Sequence, residues 1–105
     1  MTKAETRFED LATSIEGAIK GKMFGALCLK AANNGKAFVM LWKGYMIFKL
    51  TGDDLQNALS LDDAKIFEPA DGRPMAGWVQ LGDFYIEKWG RLAQQAFEYV
   101  RTITK

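Results

Sequence analysis

Ala37-Phe38-Val39-Met40-Leu41-Trp42-Lys43-Gly44-Tyr45-Met46-Ile47-Phe48-Lys49-Leu50 decides the fold, because two apolar, β-rich runs are separated by a single two-residue break. Lys43-Gly44 predicts a tight hairpin turn. It pairs Trp42 with Tyr45, Met40 with Ile47 and Phe38 with Lys49, and it sets Leu41 opposite Met46 and Val39 opposite Phe48. Upstream, the run Phe24 to Ala31 is joined through Asn33-Asn34-Gly35, and a three-residue loop there sets Leu29 opposite Val39 and Leu27 opposite Leu41. One face of the resulting meander is purely apolar: Leu27, Leu29, Ala31, Ala37, Val39, Leu41, Met46, Phe48 and Leu50. The reverse face carries Cys28, Lys30, Phe38, Met40, Trp42, Tyr45, Ile47 and Lys49. A two-residue turn at Asn34-Gly35 would drive Lys30 into the aliphatic face, and burying an unpaired ammonium costs several kcal/mol, so that register is rejected.

Helical signals flank the meander. Thr2 followed by Glu5 is a capping-box pattern, and Phe8, Leu11, Ala12, Ile15 and Ile19 recur at helical spacing, which predicts a first helix from Lys3 to Gly17. Thr51-Gly52-Asp53-Asp54 followed by Leu55, Ala58 and Leu59 predicts a short middle helix with acids at its start. Gly77 to Leu81 alternates like a strand. Trp89, Leu92, Ala93, Ala96, Phe97 and Val100 form the apolar stripe of a C-terminal amphipathic helix from Ile86 to Ile103, weakened early by Gly90. The expected fold is a single α+β domain over residues 1–105. Its antiparallel sheet has a three-stranded meander plus one or two further strands, and three helices pack against it. Two largely apolar sheet faces imply that something covers each.

Composition removes many chemistries. The chain has 105 residues, 49% of them apolar and 26% charged, which suits one globular core. It contains no histidine, which excludes Ser-His-Asp and Cys-His catalysis and imidazole metal ligands. Cys28 is the only cysteine, lies in an apolar run and reads as a small buried hydrophobe. No apolar run approaches the ~18 residues that span a bilayer, and the N-terminus lacks a signal-peptide layout, so a cytoplasmic location without membrane attachment is expected. Asp53-Asp54 and Asp62-Asp63 lack calcium-loop spacing and read as helix-capping acids, and Gly21 to Gly25 lacks P-loop spacing. No metal site, cofactor site or catalytic residue is expected.

The segment Phe67-Glu68-Pro69-Ala70-Asp71-Gly72-Arg73-Pro74-Met75-Ala76-Gly77-Trp78-Val79 places two prolines, two glycines and one arginine between apolar anchors. Arg73 could hold a carboxylate or phosphate, or tie its loop to Asp71, Glu68 or backbone carbonyls. Charge is segregated despite a net of +1: Lys20, Lys22, Lys30, Lys36, Lys43 and Lys49 fall between Gly17 and Gly52 with no acid, whereas Asp53 to Asp71 carries six acids against Lys65. The lysines blunt strand ends or form a binding surface. The candidate binding residues are Arg73, Lys36, the row Lys30, Phe38 and Lys49, and the hairpin tip Trp42 and Tyr45.

Lys22-Met23-Phe24-Gly25, Gly35-Lys36-Ala37-Phe38, Phe48-Lys49-Leu50, Phe67-Glu68-Pro69, Gly72-Arg73-Pro74-Met75 and a closing Trp89, Leu92, Ala93 helix together resemble the N-terminal domain of the bacterial competence regulator TfoX. The resemblance runs from about Met23 to the C-terminus. It implies a small bacterial cytoplasmic α+β domain, regulatory or protein-binding, distantly similar in shape to the YjbR group and supplying no established catalytic residue. The sequence ends at Lys105 without a counterpart of the regulator's second domain, and Leu81-Gly82-Asp83 stands where that family often has a proline.

Three functional readings follow. The first is a noncatalytic interaction module that holds an acidic protein partner or a second copy of itself. The second is nucleic-acid binding through a basic, aromatic sheet face. The third is an enzyme whose cleft would join Arg73, Lys36 and Glu68 or Asp71.

Overall fold

Thr2 caps the first helix as its sequence requires: the Thr2 hydroxyl accepts from the Glu5 backbone N–H at 3.1 Å, and the Glu5 carboxylate accepts from the Thr2 backbone N–H at 2.8 Å. That second bond holds the Glu5 carboxyl below the usual carboxylate range. In the computed structural model, which describes residues 2–23, 25–69 and 72–103, this helix is α1, Lys3–Ser14. It is followed by strands β1 (Ala18–Met23), β2 (Ala26–Ala31), β3 (Ala37–Trp42) and β4 (Tyr45–Lys49), then helix α2 (Gly52–Leu59), strands β5 (Lys65–Ile66) and β6 (Trp78–Leu81), a 3-10 turn (Asp83–Tyr85) and helix α3 (Ile86–Val100). Phe24 and Asp71, both in segments singled out by sequence, lie outside the described residues.

The fold is α+β, with a six-stranded antiparallel sheet in the order β1-β2-β3-β4-β6-β5. The β3–β4 register is the expected one, from Trp42 opposite Tyr45 to Val39 opposite Phe48. Its turn has positive φ at both central residues, Lys43 at 50° and Gly44 at 85°, the geometry whose twist matches that of the strands it joins.

One sheet face carries the main core. Leu29, Ala31, Val39, Met46, Phe48 and Leu50 are buried there beneath α1, α2 and α3. Trp89 from α3 is fully buried in the same cluster, and its indole N–H has no hydrogen-bond partner among the described residues. Gly90 serves the packing of α1 on α3, because the Arg7 guanidinium occupies the place that a Cβ there would take. The other face is covered by the segment between β5 and β6. Phe67, Met75 and Trp78 close over Cys28, Met40 and Ile47. This segment is tied by Met75 N–H to Phe67 O at 2.8 Å, Phe67 N–H to Trp78 O at 2.7 Å and Leu50 N–H to Gly77 O at 2.8 Å. Cys28 is fully buried as expected, and burial pushes its thiol pKa up.

Four expectations need correction. Helix α1 ends at Ser14, not Gly17, because Ile15 turns extended and Gly17 takes φ 93° against the Phe97 ring. Residues 18–23 form an edge strand in which Ile19 is 48% exposed, so its helical spacing from Ile15 was coincidental. Asp62-Asp63 cap no helix; they lie in a turn after α2, with Asp63 at φ 67°. Phe38 does not share the face of Lys30 and Lys49. The register shifts between Leu29 opposite Val39 and Lys30 opposite Ala37, leaving Phe38 as the extra residue of a bulge. Phe38 is therefore fully buried on the helical side, its ring edge-on to Phe97 at 5.2 Å, and Ala37 takes the reverse face. No described helix is long and apolar enough to cross a membrane.

Candidate functional site

Lysines at a strand end acquire a site only if the fold gives them an apolar floor and denies them carboxylates. Lys49 ends β4 and pairs across the sheet with Trp78, the first residue of β6, so its stem lies beside an indole. Its ammonium stands 5.8 Å from the Trp78 ring centroid and donates to the Ala76 carbonyl at 3.1 Å. Gly77 makes room for it: at φ 85°, a Cβ there would lie 2.9 Å from Lys49 Nζ. Lys36 enters the same region from the start of β3, where its backbone N–H is held by Asn34 Oδ1 at 2.9 Å. Lys36 and Lys49 together line a groove of about 310 Å³ whose apolar surface includes Met23, Met75, Trp78 and Ile103.

Among the described residues no carboxylate lines this groove and neither lysine is ion-paired. Burial pulls the Lys49 pKa below the ordinary lysine value, since the ammonium loses water without gaining an anion. Stability should follow the sign of that shift. Between the folded and unfolded pKa values the unfolded chain binds more protons, so Lys49 makes the protein more stable as pH rises toward about 10.4. Urea denaturation across that interval is expected to show the wild type gaining on Lys49→Met as pH increases. A gap moving the other way would mean that the ammonium has an anionic partner.

The other candidate residues are dispersed. Lys30 is on the same sheet face but leans across Gly21, with Cε 3.0 Å from where a Cβ would sit, and it does not line the groove. Phe38 is buried on the opposite face, which breaks the expected row. Trp42 is half-buried, edge-on to Phe67 at 5.5 Å with the Lys43 ammonium 5.5 Å from its ring. Tyr45 remains 43% exposed at the far end of β4. Arg73 is exposed and does not line the Lys36–Lys49 groove, while Glu68 accepts from the Gly72 backbone N–H at 2.7 Å.

Sequence reasoning missed Met23, Met75, Trp78 and Ile103 as groove residues, since they come together only through strand pairing and the fold of the β5–β6 segment. It also missed Phe84, which is 87% exposed. A signal was present: Tyr85 falls four residues before Trp89 and packs against the core, leaving Phe84 one step out of the apolar stripe. In a larger concavity of about 730 Å³ beside Gly17, Arg101 is paired to Glu98 at 3.0 Å and the Asn33 amide donates to Arg101 O at 2.9 Å. No family model, curated protein or solved structure matches the chain.

Proposed function

We propose that this protein is a noncatalytic binding module whose groove, with Trp78 and Met75 as apolar surface and Lys36 and Lys49 as cations, holds an acidic protein segment carrying an apolar side chain. The observation that carries this reading is the half-buried Lys49 ammonium, which faces an indole and one carbonyl in a groove that no carboxylate of the described residues lines. An incoming carboxylate would supply the missing counter-charge in a partly desolvated setting, where such a pair is worth more than at open surface. The resemblance of Gly72-Arg73-Pro74-Met75 and its companion segments to the TfoX N-terminal domain supports a regulatory, bacterial, cytoplasmic setting for the module.

Protein recognition is favoured over nucleic acid because base stacking needs open rings. Of the three aromatics expected on the basic face, Phe38 is buried on the other side and Trp42 is covered by Phe67, leaving Tyr45 exposed.

Titration with the peptide acetyl-Asp-Phe-Asp-amide, followed by amide and indole NMR shifts, tests the reading. Saturable shifts at Lys36, Lys49 and Trp78 are expected, with affinity falling at least about tenfold in Lys49→Met, the loss of one charge-assisted contact. Affinity should weaken with added salt and as alkaline pH removes the Lys49 proton, below the pH at which an ordinary lysine loses it. Absence of shifts at millimolar peptide, or equal binding by Lys49→Met, would overturn it.

A further inference from the structure

Phe84 is 87% exposed, the most exposed of the large hydrophobics among the described residues, and no packing role accounts for it. Its backbone position is nevertheless defined. It is the middle residue of the Asp83–Tyr85 3-10 turn, its ring lies edge-on to Tyr85 at 5.1 Å, and Tyr85 packs against the helix-side core. Asp83 precedes it, exposed, and Asp63 lines the same concavity. A projecting aromatic side chain beside a carboxylate is the chemistry that the Lys36–Lys49 groove lacks. We infer that the groove is filled by the Asp83-Phe84 projection of a second copy of this chain, an inference that rests on the reading of the groove given above.

Sheet geometry separates the two surfaces. The groove lies at the start of β6, where Trp78 pairs with Lys49, and the projection follows the end of β6, where Leu81 pairs with Met46. Donor and acceptor surfaces are thus at opposite ends of one strand, so each copy presents one projection and one groove. Reciprocal insertion across a two-fold axis closes a dimer, whereas one-way insertion propagates head to tail into a ring or an open chain. Charge is complementary across the contact: Asp83 and Asp63, with Phe84, outnumber Lys65 on one side, and Lys36 and Lys49 stand with Trp78 and Met75 on the other. The groove, about 310 Å³, is at the lower end of the ~300–1,000 Å³ range of sites that enclose small ligands, which suits one aromatic side chain. One anchor and its rim make a small interface, so association should be weak and salt-sensitive.

Sedimentation velocity over a concentration series to about 1 mM, where contacts of this size become populated, tests the inference. The wild type should rise in average mass with concentration and fall back with added salt. Phe84→Ser, which removes the projection, and Lys36→Glu/Lys49→Glu, which reverses the groove charge, should each stay monomeric. Mixed together they should form a 1:1 dimer and nothing larger, because one supplies the only intact groove and the other the only intact projection. If the double variant fails to fold by circular dichroism, Lys36→Glu alone takes its place. A wild type that stays monomeric, association that survives Phe84→Ser, or no dimer on mixing would overturn the inference. Phe84→Ser protein titrated with acetyl-Asp-Phe-Asp-amide separates the two claims. Peptide binding alongside a monomeric wild type overturns self-assembly but keeps the groove; no peptide binding and no association overturns both.

Discussion

Phe38→Ala should lower stability by about 3–5 kcal/mol, the range for deleting a large aromatic from a packed core. Phe38 is fully buried against the helical layer and meets Phe97 edge-on at 5.2 Å, so its removal takes away burial, an aromatic pair and the material filling the space between β3 and α3. For a domain of this size roughly 4–8 °C of melting temperature goes with each kcal/mol, so the midpoint should drop by at least about 12 °C. Lys30→Ala, on the opposite face, serves as the control and should stay within about 0.5 kcal/mol. Chemical denaturation of both variants gives the comparison. A cost for Phe38→Ala below about 1 kcal/mol would return Phe38 to the lysine-bearing face and remove the bulge.

That residue also marks where local sequence stops determining structure. Alternation read the meander correctly wherever pairing was regular: Leu27, Leu29, Ala31, Val39, Leu41, Met46, Phe48 and Leu50 all pack on the helical side. The turn at Lys43-Gly44 carried its own geometry in two residues, so the β3–β4 register followed from it. A bulge leaves no such mark, because Ala37 and Phe38 are both apolar and either could face inward. What decides between them is distant in sequence, since Phe97 waits across the core for a ring. Strand β1 was hidden for a related reason. Ile15 and Ile19 fit a helical repeat, and only the backbone reversal at Gly17 separates them.

The candidate site was legible as residue types and illegible as an arrangement. Lys36 and Lys49 stood out as lysines in an acid-free half of the chain, and the structure brings those two together. Lys30, Phe38, Tyr45 and Arg73 shared the same signals of charge, aromaticity or constraint, yet strand direction and the bulge send them elsewhere. The groove's apolar surface needs the β5–β6 segment folded back over the sheet and the end of α3 brought beside β3, neither of which is encoded within any single window of sequence.

Asn34→Asp should be more damaging than Asn34→Ala, although it exchanges one amide NH₂ for an oxygen. Asn33-Asn34-Gly35 does more than reverse the chain. The Asn34 amide donates to Val100 O at 2.9 Å and Ile103 O at 3.1 Å, and its oxygen accepts from the Lys36 backbone N–H at 2.9 Å. The loop side chain thereby satisfies carbonyls at the C-terminus of α3, which carries no basic residue in its last turn to do so. Alanine removes these hydrogen bonds at a part-buried site, a loss of about 1–3 kcal/mol. Aspartate keeps the acceptor but directs a carboxylate at two carbonyl oxygens and at the negative end of the helix dipole, so repulsion adds to the lost donor and the total should reach about 2–4 kcal/mol. Because the opposing partners are carbonyls, the aspartate variant should recover stability as pH falls through its carboxyl pKa, where protonation restores a donor, while the alanine variant should show no such recovery. Denaturant unfolding of the two at pH 7 and near pH 4 checks both the order and the pH response. An aspartate variant as stable as wild type at neutral pH would mean that α3 ends without help from this loop, and that the Asn33-Asn34-Gly35 connection is a turn and nothing more.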